Sequence, residues 1–131
     1  MDMEVYFPGN KKVFAKYGDH VIETDQPVRA GGDGTAPTPF DLFMASLATC
    51  AGIFVLGFLQ QRGLPTEDAR VLLHADRDPE THLVKKVSLQ IKLAAGFPEK
   101  YRDAVIRAAD QCSVKRHLDD PPQFDISVAI G

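Results

Sequence analysis

An uncharged run of eighteen residues, 42–59, lies in the first half of this 131-residue chain. It reads LFMASLATCAGIFVLGFL, and Gly63 and Pro65 follow it as helix-ending residues. Because the run has no polar face, it predicts a helix from about Pro39 to Gln61 that is buried on every side. One subunit of this size can hardly cover all faces of such a helix, so we also expect a homodimer.

Six shorter segments on both sides of this helix are prone to form strands, and the last two of them alternate apolar residues with polar or small ones, as strands with one buried face do. Turn signals separate the first three of them, at Gly9-Asn10 and at Gly18-Asp19. The predicted strands are Glu4–Phe7, Lys12–Lys16, His20–Thr24, Arg70–Asp76, Val87–Leu93 and Phe124–Ile130.

A second helix is predicted from Pro98, because proline is tolerated in the first turn. Its apolar face would carry Tyr101, Val105, Ala108, Ala109 and Cys112. Ser113 could then cap a short further turn. The order of strands, helix, strands, helix and strand predicts one α+β domain over residues 1–131, with an antiparallel sheet and helices on one side.

Composition narrows the range of functions. Apolar residues make up 44% of the chain, charged residues make up 25%, and the net charge is −3. No basic patch is interleaved with aromatic residues, which argues against a nucleic-acid partner. The N-terminal residues do not form a signal peptide, so we expect a cytoplasmic protein with reduced thiols. The run 42–59 is long enough to span a membrane, but it is rich in small residues and lacks flanking Trp or Tyr, so we expect no membrane.

Several kinds of site are disfavoured by the motifs. The four histidines are scattered and there is no CxxC pair, so zinc spacing is absent and we expect no metal or other cofactor. The segment GGDG lacks the Lys-Ser/Thr of a phosphate-binding loop and is better explained as a flexible turn. Asp119-Asp120 indicates a solvated helix end rather than a catalytic carboxylate pair.

The two cysteines, Cys50 and Cys112, both fall on predicted helices. They could be inert core residues, which is common for free cysteine, or a redox pair. The redox interpretation needs a Cys50 thiolate. Because Cys50 lies about three turns into its helix, the dipole of that helix cannot lower its pKa, and a cation must do so. Arg29, in the Gly- and Pro-rich loop 26–39, is the best candidate, ahead of Lys115 and Arg116.

The segment GGDGTAPTPFDLFMASLATCAG, together with AADQCSVKRHL 62 residues after Cys50, resembles the OsmC/Ohr family of thiol-dependent peroxidases. The resemblance implies an intertwined homodimer with active sites at the subunit interface. It further implies that Cys50 is the peroxidatic thiol, that Cys112 resolves it, and that an arginine activates Cys50. In that family a glutamate ten residues before the first cysteine holds the arginine. Here that position is Phe40, and the nearest carboxylate is Asp41.

From these features we predict a thiol peroxidase with a small organic hydroperoxide as substrate and a dithiol as reductant. Its site residues would be Cys50, Cys112, Arg29 and Asp41. The alternative is a non-catalytic member that binds or senses a small apolar or thiol-reactive ligand at the dimer interface. The departure at Phe40 motivates that alternative.

Overall fold

A three-stranded antiparallel sheet forms the N-terminal part of the computed structural model, which describes all residues, 1–131. Its strands are β1 (Glu4–Gly9), β2 (Lys12–Tyr17) and β3 (His20–Thr24), paired in the order β1-β2-β3. The tight turns between them contain Asn10 and Gly18, both with left-handed backbone conformations. The predicted turn signals therefore mark the strand connections correctly.

A buried carboxylate organises the loop that follows β3. Asp25 accepts hydrogen bonds from the hydroxyl of Thr35 at 2.7 Å, from the N–H of Thr35 at 3.1 Å and from the N–H of Gln26 at 2.7 Å. These bonds, the Thr35 hydroxyl first, lower the pKa of Asp25 to about 2. A Cβ atom on Gly32 would lie 2.0 Å from the Gln26 carbonyl oxygen, so only glycine fits there. The loop is thus fixed by its own hydrogen bonds.

Helix α1 (Pro39–Gln61) has the bounds that the sequence predicts. It begins with a reciprocal cap: Asp41 accepts the N–H of Thr38 at 3.0 Å, and the Thr38 hydroxyl accepts the N–H of Asp41 at 3.2 Å. Within this one chain α1 is not buried on every side, because Ile53 is 60% exposed. It is the one helix long and apolar enough to cross a membrane, a property that core helices of soluble proteins share.

Residues 1–45 and residues 46–131 form two compact units. In the second unit, β4 (Arg70–Arg77) and β5 (Val84–Lys92) form an antiparallel hairpin, followed by α2 (Arg102–Ala109) and α3 (Ser113–Asp119). The core of this unit consists of side chains from α1 and α2, with apolar residues of the hairpin packed around them; its buried members are Val55, Phe58, Leu59 and Val105. The α+β class is confirmed, with the strands divided between two antiparallel sheets.

Two predictions about the C-terminal part are wrong. The second helix does not continue to Cys112; α2 ends at Ala109, and Cys112 is the N-cap residue of α3. No strand forms at residues 124–130, and the apolar side chains of this segment are more than 80% exposed. A strand needs a neighbouring edge for its backbone hydrogen bonds, and no strand of this chain pairs with the segment.

Candidate functional site

The two cysteines meet where the N-terminal end of α3 approaches the middle of α1. Cys50 lies on α1 and is partly exposed, whereas Cys112, immediately before α3, is 3% exposed. The Cys50 sulfur lies 3.8 Å from the hydroxyl oxygen of Ser113, the first residue of α3. Both thiols are free. The fold therefore brings together two sulfur atoms that are 62 positions apart in the sequence.

Hydrogen bonds from residues 112–114 lower the pKa of Cys50 from its ordinary value of 9.0 to about 7. The main-chain N–H of Val114 contributes most, followed by the Cys112 side chain, and Ser113 adds both its hydroxyl and its N–H. Partial burial opposes this effect and does not overcome it. The lowered pKa increases the fraction of Cys50 that is thiolate at neutral pH, and the thiolate is the state that a thiol nucleophile needs.

The pKa of Cys112 moves in the opposite direction. Burial raises it most, and the neighbouring Cys50 side chain raises it further. The Cys112 sulfur also accepts the N–H of Lys115 at 3.4 Å, which caps α3. Two thiols with opposite pKa shifts give one thiolate and one protonated thiol in contact. This is the arrangement that thiol–disulfide chemistry uses, because the thiolate reacts first and the thiol follows.

The other two predicted site residues lie in the N-terminal unit. Arg29 is in a single 3-10 turn, Val28–Ala30, and its side chain is exposed. Asp41 forms the cap of α1 with Thr38. The predicted roles of Arg29 as activating cation and of Asp41 as its holder stay predictions.

The roles of Ser113 and Val114 were not predicted from the sequence. The dipole of the helix that contains Cys50 does not reach its sulfur, so the sequence indicated a cation. A second helix can also direct its first main-chain N–H groups at the same sulfur, because those groups lack partners within their own helix. The available signal was the predicted short turn immediately after Cys112. Lys115, one of the cations considered, pairs instead with Asp110.

A cavity of about 860 Å³ lies within the second unit. Its lining is mostly apolar and includes Leu47, Val71, Leu89, Ile91, Phe97 and Val105. Cys112 also lines it, together with charged residues of both signs: Glu99, Arg102, Arg107, Asp110 and Lys115. This volume is within the range of small-molecule pockets. No three His, Cys, Asp or Glu side chains cluster in a way that could hold a metal ion.

A comparison with protein-family profiles matched most of the chain. The family profile described as "OsmC-like protein" matches residues 32–127. A comparison with curated proteins gave no significant match.

Three solved structures illustrate the shared fold. A Psychrobacter arcticus protein, described as an osmotic stress induced and detoxification response protein, has 22% identity and a TM-score of 0.73, with 87% of this chain and 85% of that chain covered. An OsmC like protein from Mycoplasma pneumoniae has 12% identity and a TM-score of 0.70, with 92% and 87% covered. The organic hydroperoxide resistance protein OhrB of Bacillus subtilis has 18% identity and a TM-score of 0.54, with 89% and 90% covered.

Proposed function

Because the chain belongs to the OsmC-like protein family, we propose that it is a thiol peroxidase that reduces organic hydroperoxides. The observation that carries the proposal is the contact between two thiols whose pKa values are shifted in opposite directions, Cys50 downwards and Cys112 upwards. The name of the Bacillus subtilis protein, an organic hydroperoxide resistance protein of the same fold, supports the choice of substrate class.

In the first step the Cys50 thiolate attacks the distal oxygen of the hydroperoxide. The S–O bond forms as the O–O bond breaks, and the departing alkoxide takes a proton and leaves as an alcohol. Cys50 is oxidised to a sulfenic acid and the peroxide is reduced. The lowered pKa of Cys50 serves this step, because only the thiolate is a good nucleophile.

In the second step the Cys112 sulfur attacks the sulfenic sulfur of Cys50. A disulfide forms, and the hydroxyl group of the sulfenic acid leaves as water with the proton of the Cys112 thiol. An external dithiol then reduces this disulfide by exchange and is itself oxidised. The raised pKa of Cys112 keeps it protonated until the sulfenic acid has formed, so that Cys50 reacts first.

The apolar cavity supports an organic substrate rather than hydrogen peroxide. Its lining includes Cys112 and, from α1, Leu47 and Ala51, whereas Cys50 itself lies beside the cavity wall at Cys112. Transfer of an alkyl group from water into such an apolar space lowers the free energy, and hydrogen peroxide has no alkyl group to bury. Arg29, held by Asp41, would add a cation to the site in the assembled protein.

Exposed apolar surface supports a homodimer as the working form. Ile53 on α1 is 60% exposed, and the alternating apolar residues of segment 124–130 are almost fully exposed. Single exposed apolar residues are ordinary, but a long exposed segment of alternating apolar residues indicates an interaction surface. A second subunit would cover these groups. We expect this dimer to be cytoplasmic.

The test is consumption of cumene hydroperoxide by the purified protein, with dithiothreitol as the reductant. The wild-type protein should consume many equivalents of cumene hydroperoxide, and Cys50→Ser should consume none. In a separate reaction without dithiothreitol, which would itself reduce a sulfenic acid, Cys112→Ser should reduce about one equivalent of peroxide per subunit and accumulate a sulfenic acid that a dimedone probe labels. Peroxide reduction by Cys50→Ser at the wild-type rate would remove the basis for the proposal.

A ligand-binding, non-catalytic role is the second candidate. The large apolar cavity favours it, as does Phe40 at the position where the family has a glutamate. In that case Cys50 would be alkylated quickly at neutral pH, yet cumene hydroperoxide would not be consumed. The two candidates therefore differ in one measurement on the wild-type protein.

A further inference from the structure

We infer that Ser113 is a positioning residue of the thiol site. Its hydroxyl and its main-chain N–H both donate hydrogen bonds that hold the Cys50 sulfur. The reacting sulfur would then depend on the residue type at position 113 as well as on the two cysteines. The peroxidase part of this inference rests on the proposed function, but its effect on the thiol does not.

The hydroxyl of Ser113 lies next to the Cys50 sulfur, and its main-chain N–H also contributes to the lowered pKa of that thiol. Its hydroxyl oxygen lies 3.8 Å from the Cys50 sulfur, within the range for a hydrogen bond to sulfur. Its main-chain N–H also bonds to Cys50. As the first residue of α3, Ser113 has an N–H without a partner inside its own helix. Cys50 supplies that partner.

The hydroxyl of Ser113 is not needed to cap α3. The cap is the Cys112 sulfur, which accepts the N–H of Lys115. A serine at the start of a helix is usually explained by capping, and here that explanation does not apply. The carbonyl of Ser113 accepts the ring Nδ1–H of His117 at 2.6 Å, so the residue is fixed in place. The side chain is therefore available to Cys50.

Proline at position 113 separates the effect on the thiol from the effect on the fold. The backbone of Cys112, with φ −51° and ψ 120°, has a conformation that is allowed before proline. Proline is also well tolerated at the first position of a helix. Ser113→Pro should keep α3 while it removes both donors, and Ser113→Ala should remove only the hydroxyl. Ser113→Thr keeps both donors and serves as the rescue variant.

The experiment measures Cys50 ionisation in the Cys112→Ser background, where Cys50 is the single thiol. Thiolate absorbance and the rate of iodoacetamide alkylation are followed against pH. Well below the pKa, we expect alkylation to slow about threefold in Ser113→Ala and about tenfold in Ser113→Pro, since one pKa unit changes the thiolate fraction tenfold. Ser113→Thr should react at nearly the parent rate.

Thermal unfolding is measured alongside. If Ser113→Pro has the same melting temperature and the same alkylation profile as the parent, Ser113 does not act on Cys50 and the inference is overturned. Equal slowing in Ser113→Thr and Ser113→Ala would also overturn it, because the hydroxyl would then not be the cause. If the three variants rank as expected but wild type consumes no cumene hydroperoxide, the peroxidase proposal fails and the role of Ser113 stands.

Discussion

Cys112 caps the same helix end that faces Cys50, because its sulfur accepts the N–H of Lys115 at 3.4 Å. The residue that would resolve the oxidised nucleophile therefore also organises the main-chain donors, Ser113 and Val114, that lower the pKa of that nucleophile. Reactivity and local structure depend on one side chain. This link can be tested by varying the atoms of residue 112.

Cys112→Ala should raise the pKa of Cys50, because both the thiol that bonds to Cys50 and the cap of α3 are lost. Loss of a cap costs about 1 kcal/mol of unfolding free energy. Cys112→Ser is the matched control: serine caps helices well and keeps a hydrogen-bond donor, although it cannot form a disulfide. We expect the Cys50 pKa, measured by thiolate absorbance, to rise more in Cys112→Ala than in Cys112→Ser. Equal pKa values in the two variants would contradict this.

The rate of Cys50 alkylation should depend on pH with a midpoint near pH 7. Because the pKa of Cys50 is lowered, the thiolate persists above about pH 7 and is lost as the pH falls below it. Below the midpoint the rate should fall about tenfold per pH unit. Iodoacetamide labelling of the wild-type protein, with the Cys50 peptide quantified by mass spectrometry, gives the profile of this thiol while Cys112 is in place. A midpoint close to 9, the ordinary value of a thiol, would show that the donors of α3 have no effect.

Mild oxidation should produce a Cys50–Cys112 disulfide within one subunit. A cross-link that closes a loop of this length stabilises the folded state by about 4 kcal/mol when it introduces no strain. The oxidised protein should therefore unfold at higher denaturant concentration than the reduced protein, and the difference should vanish in Cys112→Ser. Non-reducing electrophoresis distinguishes this bond from one between subunits, which would double the apparent mass and count against the prediction.

Much of the fold could be predicted from local pattern. The bounds of α1 follow from an uncharged run and its end signals, and β3 follows from β-prone residues and turn chemistry. Two cysteines on predicted helices suggested a redox pair, and the family resemblance implied that they meet in the fold. The donors at Ser113 and Val114 could not be found from the sequence, because they depend on where α3 meets α1, and neither segment specifies that alone.

The segment 124–130 shows that an alternating pattern of apolar and polar residues does not form a strand unless a neighbouring strand is available to pair with it. Its alternation is that of a strand, yet in this chain its apolar side chains are exposed. We expect replacement of Phe124, Ile126 and Val128 with serine to weaken the proposed homodimer, measured by analytical ultracentrifugation. Replacement of the neighbouring polar residues Gln123, Asp125 and Ser127 with alanine is the control and should leave its assembly unchanged. If both triple variants sediment like wild type, the segment does not contribute to assembly.

Arg29→Met tests whether a cation adds to the donors that already act on Cys50. The hydrogen bonds of residues 112–114 lower the Cys50 pKa to about 7. If Arg29 also approaches Cys50 in the assembled protein, its loss should raise this pKa by about one unit and slow alkylation below pH 7 about tenfold. Lys16→Met, another exposed basic residue of the N-terminal unit, is the control for a general change of charge and should leave the pKa unchanged. If Arg29→Met and Lys16→Met have the same Cys50 pKa, Arg29 is not the activating residue. The main-chain donors and Ser113 would then account for the thiolate without a cation.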